Sequence, residues 1–237
     1  MGYTLGTGWI LFEAWREKLS PETIFDMLLL QLIVGVCGSR FLYLIEYNDF
    51  WKNPMLFFEF ERGGLTFYGA VISSIVFDFL FIKYKRLPFW QVMDCIGMGL
   101  PLGIMISRLG CFLNGCCHGG PCNYSWGVIF PKVSPVPLHP TQIYESLAGF
   151  AIFIFLQMFR KRRKNYGESF VVCMGLYGFL RGIIEFWRTD NPVFISGFTL
   201  SQCIGAGMVL SAIAAWKIIG KSSLLRIFPH VDQTRVS

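Results

Sequence analysis

The chain has 237 residues, 54% of them hydrophobic and only 15% charged, with a formal net charge of +6. Soluble domains carry about 25% charged residues, so this balance excludes an ordinary soluble globule and points to a membrane protein. The basic residues are clustered, which makes them markers of topology and not a face for nucleic acid.

The start, MGYTLGTGWILFEAW, lacks a basic n-region and a small-residue cleavage site, so no cleavable signal is expected. Residues 1–23 predict a short amphipathic or irregular lead-in whose apolar part is too short to span. A first span is predicted from about Ile24 to Tyr47, interrupted by Arg40. A loop with Asn48, Asp49, Asn53, Pro54, Glu59, Glu61 and Arg62 follows. The second span covers about Leu65 to Ile82, opening on RGGLTFYGA, and the connection after it carries Lys83, Lys85 and Arg86. The third, about Phe89 to Leu113, contains Asp94 and Arg108 with Gly97, Gly99 and Gly103, small residues that permit close helix contact.

A polar loop occupies 114–138. The fourth span begins at HPTQIYE, with Pro140 suited to a first helical position, and ends near Phe159. The basic run RKRRK leads to a fifth span, about Phe170 to Trp187, which holds Arg181 and Glu185. The link RTDNP leads to a sixth, about Phe194 to Ile219. Each run is near the roughly 20 residues that cross the hydrocarbon core. The fold class is an all-α integral membrane protein: about six transmembrane helices in one polytopic domain over 1–237, with a short outward Cys/Gly-rich loop.

Charge orients the bundle. Lys83, Lys85 and Arg86, the run from Arg160 to Lys164, and Lys217, Lys221 and Arg226 fall on one side if both termini are cytoplasmic. Arg40, Arg108, Glu185 and Arg188 then stand at the outer ends of their helices. Tyr177, Arg181, Glu185 and Arg188 are spaced i, i+4, i+8 and i+11 and share a face, as do Arg40, Tyr43 and Tyr47. An arginine at a helix centre costs about 2.5 to 3.5 kcal/mol on insertion scales, which makes it a functional-site hypothesis. The bland readings are that Arg62 and Arg188 snorkel, that Arg181 pairs with Glu185, and that Tyr43 and Tyr47 are interface aromatics.

The stretch Ser107–Cys122, SRLGCFLNGCCHGGPC, joins Arg108 to a pliable loop with Gly110, Gly115, Gly119, Gly120 and Pro121. A membrane-buried cation beside such a loop suggests a bound anion. Of the eight cysteines, Cys37, Cys95, Cys173 and Cys203 read as small buried hydrophobes. Cys111, Cys116, Cys117, His118 and Cys122 offer metal ligands. Their C-x4-C-C-H-x3-C spacing is not a standard zinc pattern, however, and adjacent ligands are awkward around a tetrahedral ion. An outward-facing disulfide is favoured over a metal, and no cofactor is expected.

Four collinear blocks resemble the prolipoprotein diacylglyceryl transferase family: GGLTFYGA at 63–70, SRLGCFLNGCCHGG at 107–120, HPTQIYE at 139–145 and YGFLRGIIEFWRTDNP at 177–192. Arg108, Gly110, Asn114 and Gly119 match its signature segment. The resemblance implies transfer of the diacylglyceryl group of phosphatidylglycerol to a lipobox cysteine of a prolipoprotein signal peptide, forming a thioether and releasing glycerol phosphate, at the bacterial plasma membrane. Arg108, Arg181 and Tyr68 are the implied catalytic residues. Arg40, Asn114, Gly119, His139, Gln142, Tyr177, Glu185 and Arg188 are the implied substrate contacts. Because the acceptor thiol belongs to the substrate, no cysteine of this chain is expected to be a nucleophile.

Departures from the family pattern are specific. Members usually carry one more N-terminal span. Tyr68 stands where histidine is usual, and with a reference pKa near 10 it is a poor general base and a better hydrogen-bond donor. Cys111 and Cys116 replace an asparagine and an acidic residue. Two alternatives therefore stay open, a related lipid-handling enzyme with another acceptor and a non-catalytic binder or transporter of anionic lipid. A transporter would more often show an internal repeat, and none is found.

Overall fold

A computed structural model describes residues 1–46, 54–58, 64–188, 193–195 and 197–221. Tyr47, Arg62, Arg226, most of the 48–64 loop and most of RTDNP lie outside the described residues. Among the described residues the chain forms two compact units, one of 1–17 with 90–221 and the other of 18–89.

The helices are α1 (Gly2–Arg16), α2 (Pro21–Glu46), α3 (Phe67–Tyr84), α4 (Phe89–Asn114), α5 (Thr141–Phe159), α6 (Glu168–Ile184) and α7 (Leu200–Lys221). Short 3-10 turns lie at Pro54–Phe58, Arg160–Arg162 and Glu185–Trp187. Five of these segments, those holding α2, α4, α5, α6 and α7, are long and apolar enough to cross a membrane. The remaining expected span, α3, has 18 residues, about 27 Å at 1.5 Å per residue and close to the ~30 Å core. The protein is a multi-pass membrane protein. Its exposed apolar side chains, such as Ile72, Ile75, Val76 and Phe79 on α3 or Leu210 and Ile213 on α7, are what lipid-facing helix surfaces require.

In the smaller unit α2 and α3 run antiparallel. Gln31 Nε2 donates to Asp78 Oδ2 at 2.8 Å, and Ser39 Oγ donates to the Thr66 carbonyl at 2.9 Å. Polar side chains inside spans are thus paired across the helices, as an apolar solvent demands.

In the larger unit, α1 packs antiparallel on α4. The lead-in expected to be amphipathic or irregular is a 15-residue helix. A Cβ on Gly6 would meet Gly103 Cα at 3.3 Å, so the glycines of the third span do serve close packing. The buried cluster Met98, Ile152, Leu156 and Cys173, with Trp9, Leu176 and Tyr177 against it, joins α1, α4, α5 and α6. Pro101 sits inside α4, and nearby the Ser146 hydroxyl of α5 donates to the Met105 carbonyl at 3.0 Å.

The basic run after α5 is only partly a solvated face. Lys161 and Arg162 are exposed. Arg160 turns inward to Glu13 at 2.9 Å, and Arg163 pairs with Glu17 and with Asp94, the latter at 3.1 Å. Asp94 also accepts the backbone N–H groups of Gly167 at 2.7 Å and Phe170 at 2.9 Å. It therefore caps the N-terminus of α6 from another helix, which accounts for an acid within the third span.

Two boundaries differ from expectation. Pro140 is the N-cap of α5, one residue before the helix. The last helix starts at Leu200, not near Phe194, because β3 (Val193–Ile195) and β4 (Phe198–Thr199) form an antiparallel hairpin turned at Gly197, φ +88°. Thr199 then opens α7 with a reciprocal cap: Gln202 N–H donates to Thr199 Oγ1 at 3.3 Å and Thr199 N–H to Gln202 Oε1 at 3.0 Å. The polar loop likewise contains a small hairpin, β1 (Val128–Phe130) with β2 (Ser134–Leu138).

Candidate active site

The ends of α4, α5 and α6 place five charged side chains together, all within the larger unit. At the centre is Glu145, in the second turn of α5, its side chain only 1% exposed. Arg108 of α4 approaches Glu145 Oε2 through Nε at 2.7 Å. Arg188, just past the turn that follows α6, reaches Oε1 at 3.4 Å, and Arg181 Nη1 lies 4.0 Å from the same oxygen. Glu185 forms a second centre, with Arg181 at 2.5 Å, Arg188 Nε at 3.9 Å, and the Thr199 hydroxyl donating to Oε1 at 2.8 Å. Tyr177, one turn before Arg181, stands beside Arg108 with Glu145 and Arg181 within electrostatic reach.

Among the described residues, three guanidinium groups meet two carboxylates here. Arg108 is the most open of the three, with 24% side-chain exposure against 8% for Arg188. Arg188 is buried and paired, not snorkelling. Arg181 does pair with Glu185, and the pair belongs to the larger network.

The loop after Arg108 is fixed by its backbone. Gly115, φ +72°, ends α4 in a Schellman motif: its N–H donates to the Phe112 carbonyl at 3.1 Å, and Cys116 N–H to the Cys111 carbonyl at 3.1 Å. Gly119 N–H then donates to the His139 carbonyl at 2.8 Å and Gly120 N–H to the Trp187 carbonyl at 2.9 Å. A Cβ on Gly119 would collide with the Trp187 carbonyl and meet His139 Cβ at 2.8 Å. Gln142 Nε2 donates to the Cys116 carbonyl at 2.7 Å and Thr141 Oγ1 to the Cys117 carbonyl at 2.9 Å. Gly119 and Gln142 thus tie the signature loop to the start of α5.

Beside the charges lies a cavity of about 360 Å³ lined by Trp126, His139, Tyr144 and Trp187. Trp126 Nε1 donates to the Tyr144 hydroxyl at 3.0 Å. Indole N–H can only donate, so the tyrosine's own hydrogen is available to His139 Nδ1, 3.2 Å away. Tyr144 and Trp187 line this cavity, and their chain neighbours Glu145 and Arg188 belong to the charge cluster.

Of the residues expected at a site, the structure joins Arg108, Tyr177, Arg181, Glu185 and Arg188 in one network and sets His139 in the adjoining cavity. Asn114 is exposed as the last residue of α4. Tyr68 and Arg40 belong to the smaller unit. Tyr68 is in the first turn of α3. The Arg40 guanidinium is buried, donating to the Gly64 carbonyl at 3.1 Å and the Leu56 carbonyl at 2.8 Å. Glu145 was missed, although an acid inside an apolar run is the same signal that exposed the arginines. All eight cysteines are free thiols, so the favoured disulfide is not formed. Three of them converge instead: the sulfurs of Cys111, Cys116 and Cys117 lie within 4.8 Å of one another.

Fold and site together define a multi-pass membrane protein with a buried arginine–glutamate network built from helix ends. The family model for prolipoprotein diacylglyceryl transferase matches residues 1–218, and the chain belongs to that family. Its relatives include the phosphatidylglycerol–prolipoprotein diacylglyceryl transferase of Clostridioides difficile, 32% identical over 223 residues, 94% of this chain and 88% of the relative. The enzyme of the same name from Finegoldia magna is 32% identical over 90% of this chain and 85% of its own length. That from Desulfotalea psychrophila is 33% identical over 82% and 76%.

Proposed function

We propose that this chain transfers the diacylglyceryl group of phosphatidylglycerol to the thiol of a lipobox cysteine in prolipoprotein signal peptides. The observation that carries the reading is the convergence of Arg108, Arg181 and Arg188 on two buried carboxylates, with Arg108 the most open of the three. A phosphodiester headgroup is an anion that the open guanidinium of Arg108 can meet. In the reaction the acceptor sulfur attacks the glyceryl carbon, the carbon–oxygen bond to phosphate breaks, and the electron pair leaves on glycerol phosphate. The thiol proton passes to solvent. Charge on the phosphate grows as the bond breaks, so arginines held in place beforehand favour the transition state over the bound lipid.

Arg108 is the clamp that touches the phosphate, with Arg181 beside it. Glu145 and Glu185 hold the guanidinium groups in position, and Tyr177 orients Arg108. Tyr68 contributes a hydrogen bond, and Asn114 a substrate contact. The aromatic cavity offers apolar surface and a hydrogen-bonding tyrosine to the headgroup or the peptide. Arg40 acts through the loop whose carbonyls it binds. We take 1–237 as one polytopic domain in a bacterial plasma membrane, with the end of α7 cytoplasmic and the 114–138 loop outside. The expected cytoplasmic N-terminus does not fit, because α1 runs antiparallel on α4. Its Gly2 lies against Gly103 and Ser107 and its Glu13 against Arg160, which turns the start of α1 outward.

Purified protein, phosphatidylglycerol labelled in its acyl chains and a lipobox peptide should yield a peptide heavier by the diacylglyceryl group, with equimolar glycerol phosphate. Lipid binding without that product, or transfer to an acceptor other than the cysteine, would overturn the reading.

A further inference from the structure

We propose that Cys111, Cys116 and Cys117 form a thiolate site for a single thiophilic metal ion of the zinc type, whose remaining position takes the acceptor thiol. The metal part stands on the three cysteines alone. The acceptor part rests on the transferase reading above.

The spacing that counts against a metal presumes regular backbone, and the backbone here is not regular. The Schellman closure at Gly115 folds Cys116 back onto Cys111, so that the Cys116 thiol also faces the Cys111 carbonyl at 3.6 Å. Contact between these two positions is ordinary for the motif, and two cysteines alone would read as its small hydrophobic contact. The third is not explained that way. Cys117 takes the left-handed conformation, φ +62°, which side chains with a Cβ rarely adopt. That turn lets adjacent cysteines present sulfur to one point, where all three lie within 4.8 Å of one another and half-buried. Zinc–sulfur bonds of about 2.3 Å in a tetrahedron place sulfurs roughly 3.8 Å apart. Closure onto an ion therefore needs about 1 Å at most.

Three protein ligands and an open position are the pattern of catalytic zinc, while four closed ligands mark structural zinc. Charge agrees with this. Three thiolates and a divalent ion sum to one negative charge, and the cation beside them is Arg108, which lies within electrostatic reach of Cys111 and Cys117. An acceptor thiol that binds the ion releases its proton to solvent. Its sulfur then attacks the glyceryl carbon as the carbon–oxygen bond to phosphate breaks, and the neutral thioether dissociates as the poorer ligand. The ion supplies an ionised sulfur at neutral pH.

The test uses the full chain, purified in detergent under reducing conditions. Zinc is loaded, excess is removed, and bound metal is counted by mass spectrometry in wild type, Cys111→Ser, Cys116→Ser, Cys117→Ser and, as control, Cys122→Ser. Cobalt then replaces zinc in wild type, and its thiolate charge-transfer bands are followed as a lipobox peptide, or its Cys→Ser counterpart, is added. One ion per chain is expected in wild type and Cys122→Ser and lost from the other three. The cobalt bands should grow with the cysteine peptide alone. Wild type without metal, or equal retention by all variants, overturns the site. Bands indifferent to the cysteine peptide overturn the acceptor role. Undiminished transfer by metal-free protein also overturns that role while leaving the transferase reading intact. Metal and peptide binding without any transfer sinks the transferase reading and leaves the metal site standing.

Discussion

At the scale of single residues, Arg108 and Glu145 show how one contact divides into two roles. Arg108 is the more open partner, and under the proposed clamp mechanism its removal mainly strips a transition-state contact, for which a loss of roughly 3 to 4 kcal/mol, a few hundredfold in rate, is the usual size. Arg108→Ala should therefore fail in the transfer assay while remaining inserted and folded, and Arg108→Lys should be only partly restored because lysine lacks the planar fork. Activity of Arg108→Ala within about tenfold of wild type, roughly 1.4 kcal/mol, would end the clamp mechanism. Glu145 is the opposite case. Its buried carboxylate is the shared partner of three arginines, and breaking such pairs costs about 3 to 5 kcal/mol because the other charges are left uncompensated. Glu145→Ala should lower the thermal midpoint in detergent well beyond Arg108→Ala. An unchanged midpoint would show that the network contributes nothing to stability. Arg181→Ala strands Glu185 as well and should lose both activity and stability. The arginines were legible because a cation in an apolar run is conspicuous. Glu145 was hidden inside HPTQIYE, a block read for its family match and not for its charge. Arg40 looked like its fellow arginines in sequence, and only the structure shows its guanidinium bound to backbone carbonyls.

At the scale of elements, helices read well and turns read poorly, for a physical reason. A span announces itself by some 20 apolar residues, so α2, α4, α5 and α6 fall within a few residues of expectation. The hairpins do not: SPVPL is strand despite two prolines, and the apolar residues of 193–199 mimic the start of a helix until Gly197 turns the chain. The Schellman closure at Gly115 was foreshadowed by the glycine, but the convergence of three sulfurs depends on a left-handed Cys117 that no sequence rule announces. Within the signature segment, two glycines that look alike in sequence separate in structure. A Cβ on Gly119 meets the backbone of Trp187 and the side chains of His139 and Thr141, whereas one on Gly110 meets nothing within 4 Å. Overpacking at a tight site costs about 1 to 3 kcal/mol, and alanine in an open helical position costs nothing. Gly119→Ala should thus unfold at lower temperature than wild type, and Gly110→Ala should not. Equal midpoints for the two variants would show that the loop is looser than its backbone and side-chain ties to 139–142 and 187 imply.

At the scale of the whole molecule, orientation decides whether the site meets its substrates. Signal peptides that have crossed the membrane and the outer-leaflet headgroup are reachable only if Arg108 and the 114–138 loop face outward. The case for that rests on charge placement: Lys83, Lys85 and Arg86 after α3, the run from Arg160 after α5, and Lys217 with Lys221 at the end of α7 alternate with connections poorer in lysine and arginine. The inward-turned Arg160 and Arg163 do not weaken it, because Lys161, Arg162 and Lys164 still give that connection its excess of basic residues. Single cysteines placed at Lys85 and Lys132, each compared with the parent protein's own background, can be probed with a membrane-impermeant thiol reagent. In intact cells the Lys132→Cys protein should label and the Lys85→Cys protein should label only after permeabilisation. The reverse pattern would place the arginine cluster on the cytoplasmic side, where it would meet precursors before export, and would make the proposed acceptor and the order of lipidation and secretion wrong together.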